Sequence, residues 1–244
     1  MISIFKTKPR LYELTQNGYT DIHNHLLPGI DDGAKSIKDT QTILESMKSF
    51  GFTSVIATPH TMNSIWSNTP ESITNSLAYT KTELTEISNS LQLRAASEYF
   101  LDENFVNLVS NKNLLTLKDN YLLVEMSYLN APIQLFDYLF ELQVQGYIPV
   151  LAHPERYTFY HQDKKMYDKL KKAGCYFQLN LLATTGYYGK HVADVANYLL
   201  ENNYYDFSGS DIHHGNHLNS FKNKIVIKSS KKLEALLPEN DFFK

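Results

Sequence analysis

Two pairs of residues in this chain are spaced to share an ion. His23 and His25 stand one residue apart, as do Asp211 and His213. On an extended backbone, residues at i and i+2 point to the same side, so both members of each pair can reach one cation. Four further candidates occur singly: His60 in ATPHTM, Glu98 in AASEYF, Glu125 in YLLVE and His153 in LAHPER. The donors are imidazole nitrogen and carboxylate oxygen, with no thiolate among them. That set suits Mn, Zn or Fe and argues against a purely soft-metal site. Cys175 is the only cysteine; in AGCYFQLN it reads as a buried strand residue, and no intramolecular disulfide is available.

Something must bring these scattered residues together. Short apolar, β-branched runs alternate with helical periodicity along the chain. The predicted strands are Tyr19–His25, Thr53–Ala57, Leu93–Ser97, Tyr121–Glu125, Ile148–Ala152, Tyr176–Asn180 and Tyr205–Ser208. Between them, Ser36 caps a helix with Asp39 as its partner; Ile43, Leu44, Met47 and Phe50 form its apolar face, and Gly51 ends it. Thr69-Pro70 starts a helix facing inward through Ile73, Leu77, Leu84, Ile87 and Leu91. Asp102 caps a helix carrying Phe105, Leu108 and Val109. Pro132 opens one with Ile133, Phe136, Leu139, Phe140 and Val144 inward; 163–173 and 191–201 complete the set.

Such alternation argues an α/β fold with a parallel sheet, and seven βα units argue a closed or nearly closed barrel, with an open doubly wound sheet as the alternative. Six of the seven strands then carry a histidine or acid at their C-terminal ends, and the sixth in order contributes Asn180. In a parallel barrel those ends share the face where active sites are built.

Composition excludes other classes. Net charge is −3, and no basic run interleaves with aromatics, so nucleic-acid binding has no electrostatic support. Lys6, Lys8, Arg10, Lys228, Lys231 and Lys232 read as solvated termini. No stretch approaches the roughly 20 apolar residues that span a bilayer, and the first residues lack the apolar core of a secretory signal.

The segments DIHNHLLPGIDDGAKS, ATPH, SEYF, YLLVEM, AHPERY and SDIHH, in this order from Tyr19 to His214, resemble the PHP (polymerase and histidinol phosphatase) superfamily. DIHNHLLPGIDDG and AHPERY select its bacterial capsule and exopolysaccharide branch, the manganese-dependent tyrosine-protein phosphatases. The resemblance implies a distorted (β/α)7 TIM-like barrel as a single domain over 1–244, with 1–18 an N-terminal extension and 222–244 a C-terminal segment. It implies three divalent ions, Mn2+ in the first place, with Fe or Zn as alternatives. By position, His23, His25, Glu98 and Asp211 hold the first; Glu98, Glu125 and His153 hold the second, with Glu98 bridging. Asp32, His60 and His213 hold the third, with the adjacent Asp31 as the alternative to Asp32. Arg156 binds the substrate phosphate. His213 and His214 are candidates to assist the leaving group, and His214 and Tyr157 to touch substrate. Tyr99, Tyr128, Tyr187 and Tyr188 also lie near strand ends and are candidates for the mouth, and Asp21 for a residue that supports the ligands.

The implied reaction is hydrolysis of phosphotyrosine monoesters. The implied partner is the C-terminal tail of a membrane-associated bacterial tyrosine kinase that regulates capsule synthesis. The expected location is the cytoplasm, with no direct membrane insertion, no nucleic acid, and oligomerisation open. Four carboxylates set against three divalent ions and Arg156 leave a net positive cavity suited to a phosphate dianion. No serine or cysteine nucleophile is needed. One departure stands out: relatives often carry a second arginine after D-x-H, and DIHHGNHLNSF has none. His214, His217 and Lys222 are the candidates to replace it. The alternatives are a small-molecule phosphatase of the histidinol phosphate type and a catalytically weak regulator of polysaccharide export.

Overall fold

The computed structural model describes residues 7–110 and 113–244; Lys6 lies outside the described residues. Among the described residues the strands are β1 (Tyr19–Asp21), β2 (Phe52–Ala57), β3 (His60–Thr61), β4 (Arg94–Ala95), β5 (Glu98–Phe100), β6 (Tyr121–Glu125), β7 (Ile148–Ala152), β8 (Tyr176–Asn180) and β9 (Phe207–Gly209). The helices are α1 (Leu11–Thr15), α2 (Ile37–Ser49), α3 (Pro70–Glu83), α4 (Thr85–Ser90), α5 (Phe105–Ser110), α6 (Leu135–Val144), α7 (Lys165–Lys172), α8 (Lys190–Glu201), α9 (Gly215–Phe221) and α10 (Ser230–Leu236), followed by a 3-10 segment over Leu237–Phe243.

The caps follow the sequence signals. Asp39 N donates to Ser36 Oγ at 3.3 Å while Ser36 N donates to Asp39 Oδ2 at 3.0 Å, closing the reciprocal box that starts α2. Thr69 accepts from Ser72 N at 3.1 Å ahead of Pro70. Asp102 Oδ1 accepts from Asn104 N and Phe105 N at the start of α5.

All strand pairs are parallel, but they fall into two sheets, β1-β2-β4 and β3-β5-β6-β7-β8-β9. Thr58-Pro59 separates β2 from β3, and of the expected third strand, Leu93–Ser97, only β4 forms, with β5 starting beyond it at Glu98. Past the break the pairing resumes, with Ala96 N donating to Ala57 O and Glu98 N to Pro59 O. The other edge pair, β1 and β9, forms no ladder. The two are joined by one bridge, Asn24 to Ile212, with His25 N donating to Ile212 O at 2.9 Å and Asp211 N to His23 O at 2.7 Å. A fully closed barrel is therefore not what the strand ladders make.

The open seam is spanned by a side chain. Asn240 Nδ2 donates to Thr20 O and to Ser208 O, both at 2.7 Å, and its Oδ1 accepts from Ser208 N at 3.0 Å. Phe243, fully buried, enters a small apolar cluster with Ile22, Ile56, Leu123, Val150 and Phe207. That cluster draws on both sheets, so they curve around a common interior. A larger cluster packs helices against the outer surface. Replacing Asn240 by alanine leaves three buried backbone groups without partners. The expected loss is about 3 kcal/mol, or roughly 6–12 °C in Tm. Thermal melts of the two proteins check this, and an unchanged Tm would remove Asn240 from the seam's support.

One apolar face differs from expectation. On α6 the buried residues are Leu135, Tyr138, Leu139 and Leu142, whereas Ile133, Phe136, Phe140 and Val144 are exposed. The helix is apolar nearly all round, so its periodicity permits more than one inward face. Lys8 and Arg10 are not free ends: Arg10 pairs with Lys224 and donates to Lys222 O, and Lys8 donates to Val226 O. Cys175 is buried, and burial pushes its thiol up to about 12. Among the described residues no helix is long and apolar enough to cross a membrane.

Candidate metal centre

His23 and His25 follow β1 and are completely buried. Their Nε2 atoms converge to 3.3 Å, and each is steered there from behind. Gln178 Oε1 lies 2.8 Å from His23 Nδ1, and Asp31 Oδ2 lies 2.8 Å from His25 Nδ1. Such partners fix the tautomer and the ring plane of a ligating histidine. Two glycines permit the packing. A Cβ on Gly33 would come 1.9 Å from His25 O, and one on Gly209 would come 2.6 Å from His23 Cβ.

Glu98 stands at the start of β5, in the middle of the cluster. Its carboxylate faces His23 Nε2 (3.3 Å), His25 Nε2 (3.4 Å), His60 Nδ1 (3.1 Å) and His153 Nε2 (3.2 Å). Neither of its oxygens, though buried, receives a well-formed hydrogen bond, and His153 Nδ1 is unpartnered too. A buried carboxylate without such bonds is costly unless cations compensate it. The donor set therefore fits divalent ions. Four groups of potential ligand atoms lie within 4.8 Å of one another: His23, His25 and Asp211; His23, Glu98 and His153; His60, Glu98 and Glu125; and His25, Asp32, His60 and His213.

The adjacent aspartates divide the work. Asp31 is turned inward to His25 and also accepts from Gly33 N at 2.9 Å. Asp32 is half-exposed and faces His60 Nε2 at 3.5 Å and His213 Nε2 at 3.4 Å. His60 also approaches Glu125 through Nδ1, at 2.8 Å, so this ring lies between two of the expected ion positions. Burial opposes a charge on His60, yet Glu125 and Glu98 lift its pKa to about 10. Burial would likewise raise Glu98 and Asp211, but His23 and its neighbours hold both well below the carboxylate range.

Asp211 links this cluster to Arg156. Its Oδ1 faces His23 and His25 at 3.4 and 3.5 Å, while its Oδ2 accepts from Arg156 Nη1 at 2.8 Å and Asn180 Nδ2 at 2.7 Å. The guanidinium lies between two rings, 4.4 Å from the centre of Tyr128 and 4.1 Å from that of Tyr188. His153 and Asp211 both adopt positive φ, 38° and 52°. Non-glycine residues held in that region store strain, and it falls here at the ends of β7 and β9. The cluster opens into a cavity of about 930 Å³ lined by Arg156, Tyr128, Tyr188, His213, His214 and Trp66, among others.

The capsular polysaccharide synthesis family CpsB/CapC matches residues 19–233. The chain belongs to this family. This CpsB/CapC chain is 29% identical over 201 residues to CapC of Staphylococcus aureus, covering 79% of this chain and 76% of that protein. It is 27% identical over 219 residues to the tyrosine-protein phosphatase YwqE of Bacillus subtilis, covering 89% and 86%. Among solved structures it matches one described with YwqE from Bacillus subtilis and CpsB from Streptococcus pneumoniae as metal-dependent tyrosine phosphatases. The TM-score is 0.76 at 27% identity, over 92% of this chain and 88% of the other.

In this CpsB/CapC chain the nine residues expected to hold metal are brought together, with Arg156 and His214 at the same cavity. Tyr157 is not there. It is fully buried, and its hydroxyl accepts from Met126 N at 2.9 Å, so it braces the end of β6 instead of touching substrate. Tyr99 is likewise buried, accepting from Leu115 N. Tyr128 and Tyr188 do line the cavity, whereas Tyr187 packs edge-on against His217. Of the candidates to replace the second arginine, His214 and His217 line the cavity and Lys222 does not. Asp21 lies behind the ligands: it accepts from Ser210 and Asn24, and burial raises its carboxyl to about 6. The sequence reading missed Gln178, which sits inside an apolar strand, and Trp66, which sits in a loop without a motif.

Glu155 is buried beside Arg156, accepting from Asn180 N and Tyr205 Oη, and burial raises its pKa from 4.5 to about 7. The folded value exceeds the unfolded one, so its favourable contribution is complete below about pH 4.5 and is lost as pH rises through about 7. For metal-stripped protein the decline amounts to about 3 kcal/mol. Glu155→Gln is expected to flatten it. Urea midpoints at pH 5 and pH 8 check this; equal losses in both proteins would exclude Glu155 as the source.

Proposed function

We propose that this chain is a metal-dependent protein-tyrosine phosphatase that hydrolyses phosphotyrosine monoesters through a centre of three divalent ions, Mn2+ in the first place. The observation that carries the reading is Glu98: a buried carboxylate whose two oxygens meet four imidazole nitrogens and receive no well-formed hydrogen bond. The names of its relatives supply the reaction class. His23, His25, Glu98 and Asp211 would hold one ion, Glu98, Glu125 and His153 a second, and Asp32, His60 and His213 a third. When bound, such ions supply Lewis acidity and a nucleophile at neutral pH.

The chain's own residues do the rest. Arg156 binds the non-bridging phosphate oxygens, and Tyr128 and Tyr188 keep its guanidinium plane fixed between them. Gln178 and Asp31 hold His23 and His25 in register. His214, at the cavity edge, would deliver a proton to the departing oxygen, because His213 as an ion ligand has none to spare; a phenol, with a pKa near 10, needs little help. Of the family's arginine pair only Arg156 has a counterpart here, with His214 and His217 lining the same cavity. We read the two sheets as a distorted (β/α)7 barrel whose seam is closed by side chains, and residues 1–244 as one domain. The protein substrate we propose is the phosphotyrosine-bearing tail of a membrane-associated tyrosine kinase, met in the cytoplasm.

The test is a panel of initial rates with Mn2+-loaded protein on a phosphotyrosyl peptide, a phosphoseryl peptide and histidinol phosphate. The phosphotyrosyl peptide is expected to react fastest, chelation to abolish turnover and Mn2+ to restore it. Metal-loaded protein that leaves the phosphotyrosyl peptide intact would overturn the reading.

A further inference from the structure

Between β3 and α3 the chain folds back on itself at the cavity rim. Met62 N donates to Trp66 O and Trp66 N to Met62 O, both at 2.9 Å, around Ser64 at a φ of 67°. Asn68 ties the turn down, donating from Nδ2 to Ile30 O at 2.9 Å and His60 O at 2.8 Å. The result is a fixed position for the only tryptophan in the chain. Its indole lies over the His60 ring, 4.8 Å between centres and 17° between planes, while His25 approaches the same ring at 4.4 Å. Trp66 also borders the cavity, with Met62 and Ile65 beside it and Phe100, Tyr128 and Leu129 completing an apolar rim above a charged floor.

We propose that Trp66 is a specificity-determining residue, the wall against which the ring of an aryl phosphate packs. The inference rests on the phosphatase reading and adds to it the group that selects the leaving group. A phosphate held by Arg156 and the floor directs its ester oxygen outward, toward this rim. An aromatic leaving group then gains a stacking partner there, which a short alkyl group lacks. If Trp66 served only to hold His60 in place, its loss would affect every phosphate ester alike. A wall for an aromatic ring affects aryl and alkyl ligands differently.

Phenylphosphonate and methylphosphonate, neither of which can be hydrolysed, separate the two roles. Their inhibition constants are measured against one phosphotyrosyl peptide for wild type, Trp66→Phe and Trp66→Leu, each Mn2+-loaded. Wild type is expected to bind phenylphosphonate about tenfold tighter than methylphosphonate. Trp66→Leu should reduce that preference to about twofold, and Trp66→Phe should retain most of it. Emission of Trp66 in wild type gives a second readout, free of turnover: it should change on titration with phenylphosphonate and not with methylphosphonate. Equal weakening of both phosphonates, or no weakening of either, would overturn the inference while leaving the phosphatase reading intact. A wild-type protein that hydrolyses no phosphate ester would instead remove the reading on which it rests.

Discussion

Glu98→Gln is expected to lose both metal and turnover. The substitution preserves size and shape, so the core around β5 keeps its packing. It removes one negative charge from a point that four imidazole nitrogens approach within 3.1–3.4 Å. It also places an amide donor against nitrogens that would need to face an ion. Loss of one shared ligand at such a centre is expected to cost about 4 kcal/mol of transition-state stabilisation, roughly 10³-fold in kcat/KM. Elemental analysis of the purified protein should show fewer ions per chain than wild type, because the proposed first and second positions both use this carboxylate. Full metal content with normal turnover in the variant would take Glu98 out of the centre.

The second large effect is expected at Arg156, and there lysine should not substitute. The guanidinium does three things at once: it donates to Asp211 Oδ2, it stacks between Tyr128 and Tyr188, and it faces the cavity. A planar fork can satisfy all three, whereas a single ammonium cannot. Arg156→Ala and Arg156→Lys are both expected to lose about 10²–10³ in kcat/KM, the range seen when one oxyanion donor is removed. Metal content should stay near that of wild type, because His23, His25, Glu98 and Asp211 remain. This separates the prediction from that for Glu98. A lysine variant within a few-fold of wild type would show that charge alone suffices at this position. DIHHGNHLNSF holds no second arginine to take over, only His214 and His217 at the cavity.

Glu125 and His153 were legible because each ends an apolar run, whereas Asp32, in a turn, was reached only through the family resemblance. YLLV before Glu125 and IPVLA before His153 can only be strands in this context, and a reactive residue at such an end is conspicuous. The division between Asp31 and Asp32 was not legible in the same way. The two are identical in type and adjacent, and only the backbone turn around Gly33 decides which one faces His25. Tyr157 failed as a substrate residue because proximity in sequence to Arg156 says nothing about direction; its hydroxyl goes to the end of β6. Gln178 was invisible because a polar residue within YFQLN looks like an ordinary strand position. The face of α6 could not be chosen because its periodicity is nearly saturated with apolar residues. The broken ladder at Pro59, and the side-chain closure by Asn240, depend on contacts between segments far apart in the chain.

That last closure bears on how the molecule is made. Thr20 meets its partner Asn240 across 220 residues. At a synthesis rate of roughly 5–20 residues per second, Thr20 is translated roughly 10–45 s before Asn240. During that interval His23 and His25 belong to an unfinished scaffold, and Asp211 has not long been added. The nascent chain therefore has its imidazoles well before it has the geometry to use them. Closure of the seam by Asn240 can follow only after every candidate ligand residue has been made.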